Sequence, residues 1–146
     1  MPPLKVVFLY QIMKELNIPF RLNMQLENWE FDLDFLPSRI KGYDSFKYRK
    51  KLNTTYFGNN IKKFELLFNA DILTAVISNL NTSSLPLLVN LKKLIIEDNK
   101  TEIIKIEEIE CYKKGRYIYY VSENRNMVIY GKPTFMEKYL KNLNLG

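Results

Sequence analysis

Apolar and polar residues alternate most strictly between Phe20 and Phe35. Phe20, Leu22, Met24 and Leu26 are separated by Arg21, Asn23 and Gln25. Trp29, Phe31, Leu33 and Phe35 are separated by Glu30, Asp32 and Asp34. A period of two marks a half-buried strand. Two such runs meeting at Glu27 and Asn28 predict a β-hairpin with a two-residue loop. The register then pairs Leu26 with Trp29, Met24 with Phe31, Leu22 with Leu33 and Phe20 with Phe35, with every apolar residue on one face. Trp29 and Phe31 are expected to be buried, Glu30 and Asp32 exposed. On the polar face, Arg21 is expected opposite Asp34.

Elsewhere the period changes. Leu9, Ile12, Met13 and Leu16 recur at helical spacing and predict a short helix from Leu4 to Leu16, ended by Asn17 and Pro19. Residues 36–60 are punctuated by Pro37, Ser38, Gly42, Gly58, Asn59 and Asn60. Phe46 and Tyr48 alternate with Lys47 and Arg49 there, the pattern of a short edge strand. From Ile61 to about Leu80 apolar residues dominate. With Asn60 as cap, this predicts a long helix, with a break at Asn69, Ala70 and Asp71 allowed. Ser84 followed by Pro86 starts another helix, to about Leu94.

The last third returns to strands: Thr101 to Tyr112, Arg116 to Ser122, and Met127 to Tyr130. Gly115 and the run Glu123, Asn124, Arg125, Asn126 supply the turns of a three-stranded meander. Pro133 opens a final helix, with Phe135, Met136, Tyr139, Leu140 and Leu143 on one face. The expected fold is α+β over residues 1–146 as a single domain. It has an N-terminal helix and β-hairpin, central helices, a C-terminal three-stranded antiparallel meander and a final helix.

Composition narrows the chemistry. Of 146 residues, 47% are hydrophobic and 26% charged, ordinary values for a globular chain. There is no histidine, which removes Ser-His-Asp and Cys-His nucleophilic catalysis. With one cysteine, Cys111, structural zinc sites and internal disulfides are excluded as well. The strand around Cys111 points to a buried thiol rather than a reactive one. Five scattered glycines form no phosphate-binding loop. No cofactor is expected. The uncharged stretch Ile72 to Leu91 holds too many polar residues for a membrane span, and no signal-peptide cleavage site is evident. An intracellular protein, cytoplasmic or nuclear, follows. Abundant Lys, Asn, Ile and Tyr fit an AT-rich genome such as that of a virus or mobile element.

Charge gives the sharpest functional expectation. The net charge is +6, but its distribution is uneven. Between Arg39 and Lys63 stand eight basic residues against the single acid Asp44, a net +7 that leaves the rest of the chain at −1. Cations neutralise phosphates and release counterions, and interleaved aromatics such as Tyr48 can stack on bases. The segment therefore predicts a small basic nucleic-acid-binding accessory protein. Its contacts are Arg39, Lys41, Lys47, Tyr48, Arg49, Lys50, Lys51, Lys62 and Lys63. The alternative is an interaction module or inhibitor that binds an acidic protein surface. A third reading takes Glu30, Asp32 and Asp34, successive on one strand face, as the start of a Mg²⁺ site in a metal-dependent nuclease. The plainer account of that row is a solvated strand face, and no catalytic or metal-binding residue is assigned. The run Lys113, Lys114, Gly115, Arg116 reads as a basic hairpin turn.

Overall fold

A computed structural model describes residues 20, 22–28, 32–49, 61–81, 85–97 and 99–145. Eight strands dominate: β1 (Leu33–Leu36), β2 (Asp44–Tyr48), β3 (Ile61–Asn69), β4 (Ile72–Leu80), β5 (Glu102–Ile106), β6 (Ile109–Lys114), β7 (Tyr117–Ser122) and β8 (Met127–Gly131). They form one sheet in the order β1-β2-β3-β4-β8-β7-β6-β5, and every neighbouring pair is antiparallel. The sheet is two four-stranded meanders, β1–β4 and β5–β8, paired along β4 and β8. Two helices, α1 (Leu85–Glu97) and α2 (Pro133–Leu145), follow the two meanders. Neither is long and apolar enough to cross a membrane.

Alternation within each strand sends side chains to two separate cores. On the front face, Leu66, Phe68, Val76, Tyr119, Val128 and Tyr130 pack with Leu88 and Ile95 of α1 and with Phe20 and Leu22. On the back face, Leu67, Ala75, Ile77, Cys111, Ile118 and Ile129 pack with Phe135, Met136, Tyr139 and Leu140 of α2, and with Ile40 and Tyr43. Gly131 has no room for a side chain: a Cβ would sit 2.9 Å from that of Ala75 and 3.2 Å from Met136 Sδ. Helix α2 starts two residues later, so glycine allows it to fold straight back onto the sheet.

The expected α+β fold with central helices is corrected to a sheet-dominated one. The predicted helix over 61–80 is the hairpin β3–β4. Burial on both faces explains the error, because residues 65–68 and 73–78 are all buried and show no period of two. The turn also hid itself: Ala70 and Asp71 both take positive φ, 49° and 63°, as a tight hairpin turn requires, without Gly or Asn to announce it. Thr74 is the extra residue of a bulge between Phe68↔Leu73 and Leu67↔Ala75, and its Oγ1 donates to the Leu67 carbonyl at 2.9 Å. The same disguise turns the predicted three-stranded meander into four strands. Glu107 and Glu108, at φ 52° and 66°, fold the run from Thr101 to Tyr112 into β5 and β6.

The predicted 20–35 hairpin is also replaced. Leu33 pairs with Tyr48 and Phe35 with Phe46, not with Leu22 and Phe20. Residues 22–26 hook onto the end of β4: Asn23 N–H donates to the Leu73 carbonyl, and Leu73 N–H to that of Met24, each at 2.8 Å. Phe20 and Leu22 do enter the core, so the apolar period was real, but it records packing and a short antiparallel bridge, Gln25 to Ile72, with β4 rather than pairing with β1. Phe35, expected inside, is 72% exposed on the outermost strand. The segment Phe46–Tyr48 is a strand but lies inside the sheet, between β1 and β3. Arg21, Trp29, Glu30, Phe31 and the predicted helix over 4–16 lie outside the described residues. The helices predicted from Ser84 and Pro133 correspond to α1 and α2.

Candidate anion-binding face

The back face of β1–β3 carries charge where the middle of the sheet, β4 and β8, carries mainly apolar side chains. Register sets this out in a row: Asp34 on β1 lies opposite Lys47 on β2, which lies opposite Glu65 on β3. Lys63 follows two residues along β3 on the same face, about 7 Å away. Arg49 continues β2 and pairs its Nε with Asp34 Oδ1 at 3.6 Å. Both of those side chains are half exposed, so the pair contributes a few tenths of a kcal/mol.

Glu65 is the unusual member, a carboxylate only 1% exposed. A buried charge is tolerated only when paired and hydrogen-bonded. Arg39 supplies both: Nε donates to Oε2 at 2.9 Å and Nη2 to Oε1 at 2.8 Å. This side-chain bond holds the guanidinium still more firmly protonated than usual, against the opposing effect of its partial burial. Lys63 Nζ stands 4.0 Å from Oε1.

The loop that delivers Arg39 is itself fixed. Ser38 Oγ lies 3.1 Å from the carbonyls of both Ile40 and Tyr43, Tyr43 N–H donates to the Ile40 carbonyl, and Asn69 Nδ2 donates to that of Gly42. Gly42, at φ 92°, closes the loop. Tyr43 then packs edge-on against Phe135 of α2 at 5.2 Å, with Lys138 Nζ 5.4 Å over its ring.

The predicted contact residues divide. Arg39, Lys47, Arg49 and Lys63 come together on the back face. Lys62 is exposed at the irregular start of β3, next to Lys63. Lys41 is exposed in the loop near the opposite end of the sheet, by Asn69 and Gly42. Tyr48 lies on the other, front face, half buried and edge-on to Phe20 at 4.9 Å. Phe46 likewise packs edge-on against Phe68 at 5.6 Å, and Tyr43 is buried. Lys50 and Lys51 lie outside the described residues.

Two cations outside the basic window stand near α2. Arg125, in the β7–β8 turn, and Arg39 are both close enough to Tyr139 to pull its hydroxyl pKa down, against a larger upward push from burial. Lys138 Nζ stands over the Tyr43 ring. Neither lies in the basic window, so only the fold could reveal them.

The acids offer less. Asp34 is engaged by Arg49, and Glu30 lies outside the described residues. Among the described residues, no three His, Cys, Asp or Glu side chains gather closely enough to hold a metal ion. Cys111 is buried, and burial pushes its thiol up to about 11, so it stays protonated at neutral pH. Comparison with protein-family models, with characterised proteins and with solved structures gives no match, and the reading of this face rests on its chemistry alone.

Proposed function

We propose that the protein is a non-enzymatic intracellular binding protein that meets the phosphate backbone of a nucleic acid with the back face of β1–β3. The observation that carries this reading is convergence. Arg39 from a loop, Lys47 and Arg49 from β2 and Lys63 from β3 stand on one face, drawn from three elements. Lys47 makes no ion pair among the described residues, so it can neutralise a phosphate without first leaving a partner. The described aromatics of the segment, Tyr43, Phe46 and Tyr48, pack into or against the core, so they would not stack on or read bases. Binding would follow charge and salt, with little sequence preference.

A second reading has its own support. Asp34, half exposed, stands among the cations, a mixture of signs better suited to the mixed charges of a protein surface than to a uniform phosphate chain. The partner would then be an acidic protein. A gel-shift titration of the full chain against labelled single-stranded DNA at low ionic strength, with polyglutamate as competitor, separates the two. The nucleic-acid reading expects a shift that polyglutamate displaces only in large excess. No shift at any salt concentration removes that reading and leaves the protein partner.

A further inference from the structure

Arg39 is held as a rigid tool rather than as a surface charge. Two of its five N–H donors are committed to Glu65, at 2.8 and 2.9 Å. The buried carboxylate cannot follow a solvent fluctuation, so it fixes the plane of the guanidinium. The outer edge of the fork, three N–H groups, remains for another acceptor. Beside it lies an open pocket of about 320 Å³ lined by Leu36, Pro37, Arg39, Lys63 and Glu65. Leu36 and Pro37 make one wall apolar, which strengthens any charge-assisted hydrogen bond formed against it.

We propose that this pocket is a seat for one phosphate group, received by the outer edge of Arg39 and by the Lys63 ammonium. Glu65 acts as the positioning residue behind them. Two cations against one carboxylate leave the seat with a net charge of +1, so an anion completes it. Arginine suits the task because its planar fork matches a phosphate oxygen pair, whereas lysine offers only a point charge. The inference rests on the nucleic-acid reading for the source of the phosphate, but the seat itself requires only the oxyanion.

The test uses the full chain and two probes, inorganic phosphate and a labelled oligothymidylate. In NMR titrations, phosphate is expected to shift the Arg39 side-chain N–H signals together with the amides of Leu36 and Lys63. Arg39→Lys keeps the charge and removes the fork. It is expected to abolish those shifts and to weaken oligonucleotide binding about tenfold, while a bulk-charge attraction would be unchanged. If Arg39→Lys melts far below the wild type, Lys63→Gln, which leaves the Arg39–Glu65 pair intact, carries the test. It is expected to lower the salt-dependence slope by about one. Binding of phosphate without binding of the oligonucleotide would keep the seat and reject nucleic acid as its source. Oligonucleotide binding that Arg39→Lys and Lys63→Gln both leave at the wild-type level would overturn the seat while the broader reading stands.

Discussion

The two faces of β1–β3 are built from alternate residues of the same three strands, yet they do opposite things. The front face joins Phe35, Phe46 and Phe68 in an edge-to-face ladder, with ring centroids 5.6 Å apart at each step. The back face sets Asp34, Lys47 and Glu65 in a row, with Arg39 and Lys63 around them. In sequence these residues interleave as a basic, aromatic segment, the composition expected of a base-stacking surface. In three dimensions the pleat sorts them: the aromatics pack on the front face and the charged side chains stand on the back. Interleaving along a strand therefore separates stacking from charge, because neighbours point opposite ways.

The largest effect should come from the front face. Phe68→Ala is expected to cost about 3–5 kcal/mol, because a fully buried ring leaves a cavity that the sheet cannot close. Urea denaturation measures this. A loss below about 1 kcal/mol would mean that the front face is not the core of this half.

The back face should respond in a mixed way. Arg39→Ala leaves Glu65 buried with only Lys63 at 4.0 Å, and a cost of about 2 kcal/mol is expected, reduced from the full burial penalty because Arg39 is half exposed. An unchanged unfolding midpoint would show that Glu65 reaches water by another route. Smaller still, replacing Ala70 and Asp71 by Asn and Gly should stabilise the protein by about 1 kcal/mol, since both positions hold positive φ without a residue suited to it. This turn lies on neither charged nor aromatic patch, so binding should not change with it. The smallest stability effect belongs to Lys47→Gln with Lys62→Gln, a few tenths of a kcal/mol for exposed charges, combined with clearly weaker binding to polyanions.

Much of this comparison was within reach of the sequence, and its failures have definite causes. The basic window contains Arg39, Lys47, Arg49 and Lys63, which the fold sets on one face, and also Lys41 and Tyr48, which it does not. It says nothing of Arg125 and Lys138, which lie outside it near α2. Strands buried on both faces lose their period of two, so β3 and β4 read as a helix. Tight turns at Ala70–Asp71 and Glu107–Glu108 carry no glycine, so two hairpins were invisible. The period of two from Phe20 to Leu26 was a true record of burial, but periodicity does not say which neighbour a segment joins. Its hydrogen bonds go to β4 instead of β1. The role of Glu65 was beyond any local reading. An acid inside an apolar run looks like a solvent-facing residue until Arg39, 26 positions away, is seen to close on it.

The central claim is that the back face binds by charge and reads no bases. Fluorescence anisotropy of the full chain on labelled oligoadenylate and oligothymidylate of equal length, across a salt series, tests it most directly. The account predicts equal affinities for the two. It also predicts a linear fall of log K with log salt, with a slope of about −3 for four single-strand phosphate contacts. Affinity that is insensitive to salt, or that differs more than tenfold between the two oligonucleotides, would contradict it.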